Sequence, residues 1–322
     1  MPNQIALSLV IATFNGEKTL PRALASINQM VLPELTTFNI IIIDNNSSDA
    51  TATLLNTFKC KFSFISLFQI KAGKNAALNT IFNDSVPLGE LIIFSDDDVI
   101  FPVNFLQLYC QLYRSHQYYT VFGGTVAPCW PYPPNQAMLA GIDPVVAFAI
   151  TPPSAGYLDG EIDPIKLHGP NMAITLTAFG QDLRFNENIG PNGGNYVMGS
   201  ETDILYKLKA KNNKAYFCST LEVQHIIRVS QFQSKWLAAR AFKAGRSLVH
   251  HHINQRNTNT VALLFHYPRW ALAKYLKDSF KFYLQFGIKN ISYYKHLWAR
   301  NHIKGYLSEY KHQNSTLASK PK

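Results

Sequence analysis

The sequence predicts an open α/β sheet, mostly parallel and flanked by helices. Residues 5–12 (IALSLVIA) and 38–43 (FNIIII) are short β-branched apolar runs closed by polar turn residues, as expected of strands buried on both faces. Between them Leu20, Leu24, Ile27 and Val31 recur at helical spacing after an Asn15-Gly16 turn. The alternation then repeats along the chain, which is how parallel strands are joined.

Ser47-Ser48-Asp49 offers an N-cap for a helix through Phe58, FSFISLF follows as a strand, KNAALNTIFN as a helix and ELIIFS as a further strand. Pro102 stands where a first helical position is expected, ahead of a helix carrying Phe105, Leu106, Tyr109, Cys110 and Tyr113. Residues 128–170, with PCWPYPPN, TPPSAG and HGPN, predict irregular connections. Residues 227–247 predict a basic loop around Trp236 suited to a lid, and from about Leu263 onward the pattern predicts helices that mix aromatic and basic residues. The run His250-His251-His252 resembles a metal tract by composition alone and predicts a surface or phosphate-contacting segment.

A chain of 322 residues, 47% hydrophobic and 16% charged, has ample length for a core and is not disordered. Cys60, Cys110, Cys129 and Cys218 lie far apart without a CxxC pair, which argues against a disulfide framework or a cysteine zinc site and fits a reducing compartment. No run of 18 apolar residues occurs and the N-terminus lacks a basic n-region, so neither a spanning helix nor a signal peptide is expected and the predicted location is cytoplasmic.

The net charge of +10 is unevenly placed. Residues 1–205 carry 9 Lys+Arg against 17 Asp+Glu, and residues 206–322 carry 21 against 3. A nucleic-acid-binding protein would be basic across its motif-bearing half, which here is net −8, so no nucleic-acid partner is expected. Aromatic and basic residues interleave from Trp270 to Arg300, which suits helices lying on an anionic membrane surface, or a helical subdomain with a solvated basic face.

In an open α/β sheet, ligands bind beyond the carboxyl ends of the strands. The residues there are Thr13-Phe14-Asn15, then Asp44 to Asp49, then Ser95-Asp96-Asp97-Asp98. Three consecutive carboxylates repel one another unless they share a cation, which points to Mg²⁺ or Mn²⁺ completed by waters and a diphosphate, or else to a solvated acidic turn or helix cap.

TFN, IIIDNNSSDAT, GKNAALN, IIFSDDDVIFP, FGGTV, GPNMAI, FNENIG, MGSETDILYKLKAKN and LEVQHII follow one another in an order that resembles the family-2 glycosyltransferases, over roughly residues 5–250. The resemblance implies a GT-A-type, Rossmann-like fold in residues 1–250, with nucleotide-sugar binding in 1–127, acceptor binding in 128–250 and a helical extension over 251–322. It implies an inverting transfer of a single sugar from a nucleotide-diphosphate sugar, a UDP-sugar by default. The implied acceptor is a saccharide or polyprenyl-linked saccharide in cell-surface polysaccharide or glycan synthesis, reached at the inner face of the cell membrane.

Carried over by position, Thr13, Phe14, Asn15 and Asp44 hold base and ribose, Lys74 and Asn75 face the diphosphate, Asp96 contacts ribose or sugar hydroxyls, and Asp97 is either a second metal ligand or a contact to the donor sugar. Asp98, with Asp96 and His225, ligates Mn²⁺ or Mg²⁺. Each residue also has a plainer reading: Phe14 as a core aromatic, Lys74 as a solvated helix-start lysine, His225 as a strand histidine with a backbone partner. Glu201 is the expected base, with Asp203 as second candidate; Ser200 replaces the first of the family's two acids, and a helix-start carboxylate is the plainer reading of Glu201.

QFQSKW lacks the full QxxRW of processive synthases, which favours a single-sugar transferase. A sugar nucleotidyltransferase needs a glycine-rich basic loop after the first strand, where TFNGEKTL has one glycine and one lysine. A catalytically inactive relative that keeps nucleotide-sugar binding stays open because of Ser200.

Overall fold

The computed structural model of the protein describes residues 4–83, 85–193, 196–254, 262–285 and 287–318, the side chains of 250–254 and 315–318 excepted. In chain order the first elements are β1 (Ile5–Thr13), α1 (Leu20–Gln29), β2 (Thr36–Asp44), α2 (Thr51–Thr57), β3 (Ser63–Phe68), α3 (Lys74–Asn79), β4 (Leu91–Asp96), β5 (Val99–Ile100), α4 (Phe105–Ser115) and β6 (Val121–Cys129). Then come α5 (Gln136–Gly141), α6 (Pro144–Phe148), β7 (Gly160–Ile162), β8 (Met172–Thr175), α7 (Leu176–Phe179), α8 (Ser200–Ala210) and β9 (Ala215–Ile226). The chain continues with α9 (Ser234–Asn254), β10 (Leu263–Leu264), β11 (Tyr267–Pro268), α10 (Arg269–Leu284) and α11 (Ile291–Ala318).

Contacts divide the chain into two units: residues 1–129, 149–194 and 200–226, and residues 130–148, 195–199 and 227–322. Helix α9 runs across residue 250 and belongs to the second unit.

The first unit is built on one sheet in the order β3-β2-β1-β4-β8-β6-β9-β5, with β7 on β9. Strands β3, β2, β1 and β4 are parallel, so their carboxyl ends share one edge. Strand β8 runs antiparallel to β4 and β6, which makes the whole sheet mixed. Because side chains alternate along a strand, Leu7, Leu9, Ile11, Ile40, Ile42 and Ile93 pack on one face with α1 and α4. Val10, Ile41, Ile43, Ile92 and Phe94 pack on the other with α3 and α8. This is why the runs are apolar without a break.

Several local expectations are corrected. Helix α1 ends at Gln29, since Pro33 disfavours helix at the residue before it, and Val31 is exposed with its N–H donating to the Val103 carbonyl. Helix α4 starts at Phe105 with Asn104 as N-cap, and Pro102 lies in the preceding turn. Residues 128–170 hold α5, α6 and β7 among their irregular connections. Residues 227–247 form a 3₁₀ turn followed by most of α9 and not a loop, and Trp236 stacks on Phe148 within the second unit. Residues 263–268 form a β-hairpin where helix was expected. The side chains of His250, His251 and His252 lie outside the described residues.

In the second unit α11 packs on α9, α10 and α5. A Cβ on Gly305 would strike the Phe242 carbonyl and one on Gly245 the His302 carbonyl, so these two helices meet backbone to backbone. Among the described residues no helix is long and apolar enough to cross a membrane.

Candidate active site

The shared carboxyl edge of the sheet places the expected residues side by side. Thr13 pairs in register with Asp44 and Ala12 with Asp96. Phe14 leaves the edge 58% exposed, which excludes the core-aromatic reading and leaves its ring face open for stacking. Asn15 adopts a left-handed backbone (φ 53°) and its Oδ1 accepts from the Ser48 N–H at 2.8 Å, while its own N–H donates to Ser47 Oγ at 2.9 Å. The loops after β1 and β2 are thereby tied to each other. Asp44 is buried and accepts from the Ser47 N–H at 2.9 Å.

The three consecutive aspartates avoid mutual repulsion by diverging. Strand β4 ends at Asp96, and a turn at Asp97-Asp98 leads into β5. Asp96 Oδ1 meets Lys74 Nζ at 2.5 Å, Asp97 Oδ2 accepts from Thr13 Oγ1 at 2.5 Å, and Asp98 Oδ1 lies 3.1 Å from His225 Nε2. The last contact is set by backbone pairing: Val99 is in register with His225, and the Ile226 N–H donates to the Asp98 carbonyl at 2.8 Å. His225 is therefore a buried strand histidine whose partner is a carboxylate.

Lys74 opens α3. Its ammonium bridges two carboxylates, Asp96 and, at 3.2 Å, Glu201 Oε1. Burial alone would depress this ammonium, but Asp96 and Glu201 outweigh it and hold it well above the ordinary lysine range. Lys74 is thus a fixed cation and not a solvated one.

Its placement depends on a residue that sequence reasoning passed over. Buried Asn45 donates to the Gln69 and Lys71 carbonyls and accepts from the Gly73 N–H at 2.7 Å, fixing the loop that delivers Lys74. An Asn directly after a strand-end Asp was the available signal.

Asn75 is turned elsewhere. Its amide donates to the Asn186 and Ile189 carbonyls, and its Oδ1 accepts from the Ser200 hydroxyl. The departure at Ser200 thus has a structural use: it joins the start of α8 to α3. Glu201, the next residue, reaches Lys74. Asp203 is directed to Lys207 at 2.6 Å, one helical turn on, and not to the Lys74 cluster.

Gly169 is the second residue whose role sequence alone did not give. A Cβ there would overlap the Glu201 carboxyl group, so only glycine leaves room for it. Ser95 Oγ donates to the Pro170 carbonyl at 2.7 Å and fixes that turn against the end of β4.

Of the three expected metal ligands, Asp98 and His225 come together and Asp96 is held by Lys74. Among the described residues no three His, Cys, Asp or Glu side chains converge as a metal group. A carboxylate oxygen and an imidazole nitrogen 3.1 Å apart nevertheless fit two adjacent positions on a cation with bonds of about 2.1 Å. Two protein ligands leave the remaining positions to water and phosphate oxygens, the habit of Mg²⁺ and Mn²⁺.

The chain resembles known proteins in sequence and in fold. Residues 8–142 match the sequence model of glycosyl transferase family 2. Over 99 residues the chain is 31% identical to the uncharacterized glycosyltransferase YfnE of Bacillus subtilis (strain 168), covering 29% of this chain and 23% of that protein. The match therefore spans under a quarter of that relative's length. Among solved structures, S. aureus TarS 1–349 in complex with UDP-GlcNAc is similar over 97% of this chain and 92% of its own, with a TM-score of 0.54 and 15% identity. The mannosyltransferase PcManGT from Pyrobaculum calidifontis, in complex with GDP-Man and Mn²⁺, covers 100% of this chain and 77% of its own, with a TM-score of 0.54 and 13% identity. At such identities the likeness speaks to the fold, which is that of GT-A glycosyltransferases.

Proposed function

We propose, from the match of residues 8–142 to the sequence model of glycosyl transferase family 2, that the chain moves a single sugar from a nucleotide-diphosphate sugar to a saccharide or lipid-linked saccharide, with inversion, at the cytoplasmic face of the cell membrane. One observation carries the reading. Lys74 ties Asp96, at the strand edge expected to hold the donor, to Glu201, at the head of the helix expected to hold the base.

Phe14 stacks on the base, and Asp44 accepts from its ring N–H or from a ribose hydroxyl. The diphosphate lies against Lys74, whose charge persists across the working pH range. As the phosphates draw Lys74 toward them, Glu201 is released to take the proton of the acceptor hydroxyl. The acceptor oxygen then bonds to the anomeric carbon from the face opposite the leaving group. The bond from that carbon to the diphosphate oxygen breaks, and configuration inverts. Asp98 and His225 would hold Mn²⁺ or Mg²⁺, which when bound would supply charge neutralisation for the leaving diphosphate. Gly169 keeps the space beside Glu201 clear.

Calorimetric titration of UDP into the protein, with and without Mn²⁺ and beside Asp98→Ala, tests the donor site. Metal-dependent binding that the variant loses is expected. Failure of UDP, GDP and dTDP alike to bind would overturn the reading.

A further inference from the structure

Helix α10 is apolar on two faces. Ala271, Tyr275 and Phe282 turn inward, where Phe282 packs on Tyr293 of α11 at 5.4 Å between ring centroids. On the opposite side Leu276, Phe280 and Leu284, spaced by four, are 67%, 66% and 62% exposed. A helix apolar all round is ordinarily covered all round. Here the second face is open and is bordered by Lys277 and Lys281, both exposed.

The hairpin that immediately precedes α10 in the chain is a second exposed apolar feature of this unit. Strands β10 and β11 pair Leu264 with Tyr267, so the turn consists of Phe265 and His266, both with positive φ (49° and 64°). Turns of this kind usually take Asn and Gly. Here the left-handed backbone carries a phenylalanine, 80% exposed, with exposed Leu263 and Leu264 beside it. Exposed apolar side chains grouped in this way mark an interaction surface.

Charge identifies the partner. The second unit holds 17 Lys+Arg against 3 Asp+Glu. Two of the three acids are withdrawn: Asp278 is buried between Lys274 and His296, and Glu309 is buried against Arg246. An isologous dimer across α10 would set lysines against lysines. An anionic bilayer matches both the apolar stripe and its cationic border.

We propose that the Leu263–Pro268 hairpin and the outer face of α10 form a membrane-docking surface that seats in the headgroup region of an anionic bilayer. Phe265, Leu276, Phe280 and Leu284 enter the acyl boundary, while Lys277 and Lys281 rest on lipid phosphates. The attachment is peripheral and independent of the sugar chemistry.

Flotation of the full chain with phosphatidylcholine vesicles, with and without phosphatidylglycerol, tests it. Expected are binding that requires phosphatidylglycerol and falls with salt, and a blue shift of tryptophan emission that Trp270→Phe reduces. Phe280→Gln together with Phe265→Ser should weaken partition, and Lys277→Glu with Lys281→Glu should lower it by about tenfold or more. All four side chains are exposed, and an unchanged melting temperature verifies that the variants fold. Wild-type protein that ignores anionic vesicles, variants that bind as well as wild type, or a dimer in light scattering that Phe280→Gln dissociates would each overturn the proposal.

Discussion

The two units distribute charge and apolar surface in opposite ways. In the first, helices cover both faces of the sheet and 13 Lys+Arg meet 17 Asp+Glu. In the second, α10 covers one of its two apolar faces and 17 Lys+Arg meet 3 Asp+Glu. The mixture of signs in the first unit suits the proposed reaction centre, where one partly buried cation between two carboxylates would exchange one partner for a diphosphate. A single sign over an apolar stripe has no such exchange to offer, and it suits attachment.

Substitutions that affect one unit and spare the other test this division. The largest effect belongs to Glu201→Gln, expected to lower kcat by about 10²–10⁴-fold while UDP binding and vesicle binding persist. A residual rate within tenfold of wild type would move the base elsewhere, and Asp203→Asn is the comparison. Lys74→Ala leaves Asp96 and Glu201 facing each other without their cation. It should weaken UDP binding at least about tenfold and lower stability by roughly 1–3 kcal/mol, allowing for the partial exposure of the three groups. Lys74→Arg should recover the stability better than the binding.

Gly305→Ala is the converse case. It forces α11 away from the Phe242 carbonyl and should cost about 1–3 kcal/mol in chemical denaturation, with UDP affinity unchanged. The smallest effect is a pH slope in the second unit. Burial first, and then Lys274, hold His302 below its ordinary value of about 6.5 against the opposing pull of Asp143. The unfolded chain therefore takes up the proton at higher pH than the folded one. Stability should be level above about 6.5 and fall below it. His302→Gln should flatten that fall in denaturation curves at pH 7 and pH 5.

Most of the polar strand edge was legible in the sequence, because a strand buried on both faces writes itself as an unbroken apolar run and its first polar residues must lie at the edge. Asp44 and Asp96 were singled out that way, and Lys74 through the likeness of GKNAALN to the family-2 pattern. What stayed hidden depends on contacts distant in sequence. Nothing local tells that Lys74 bridges Asp96 to a residue 127 positions later, or that Asn75 is taken up by Ser200. Gly169 looked like part of a Pro-rich connection because its requirement comes from the Glu201 side chain above it. The hairpin at Leu263 was missed for a different reason. Its turn carries Phe and His, so the usual Asn-Gly signal was absent.

The pairing of β5 with β9 also bears on how the protein folds. Val99 finds His225 only across more than a hundred intervening residues, so the entropy of closing that loop must be met before the pairing yields any stability. During synthesis the strand edge with its three aspartates is complete long before β9 leaves the ribosome. A nascent first half can therefore form its parallel strands, yet it holds Asp98 without an imidazole until the last strand of the sheet arrives. Completion of the Asp98–His225 pair is then a late event, timed by the length of chain between the two residues.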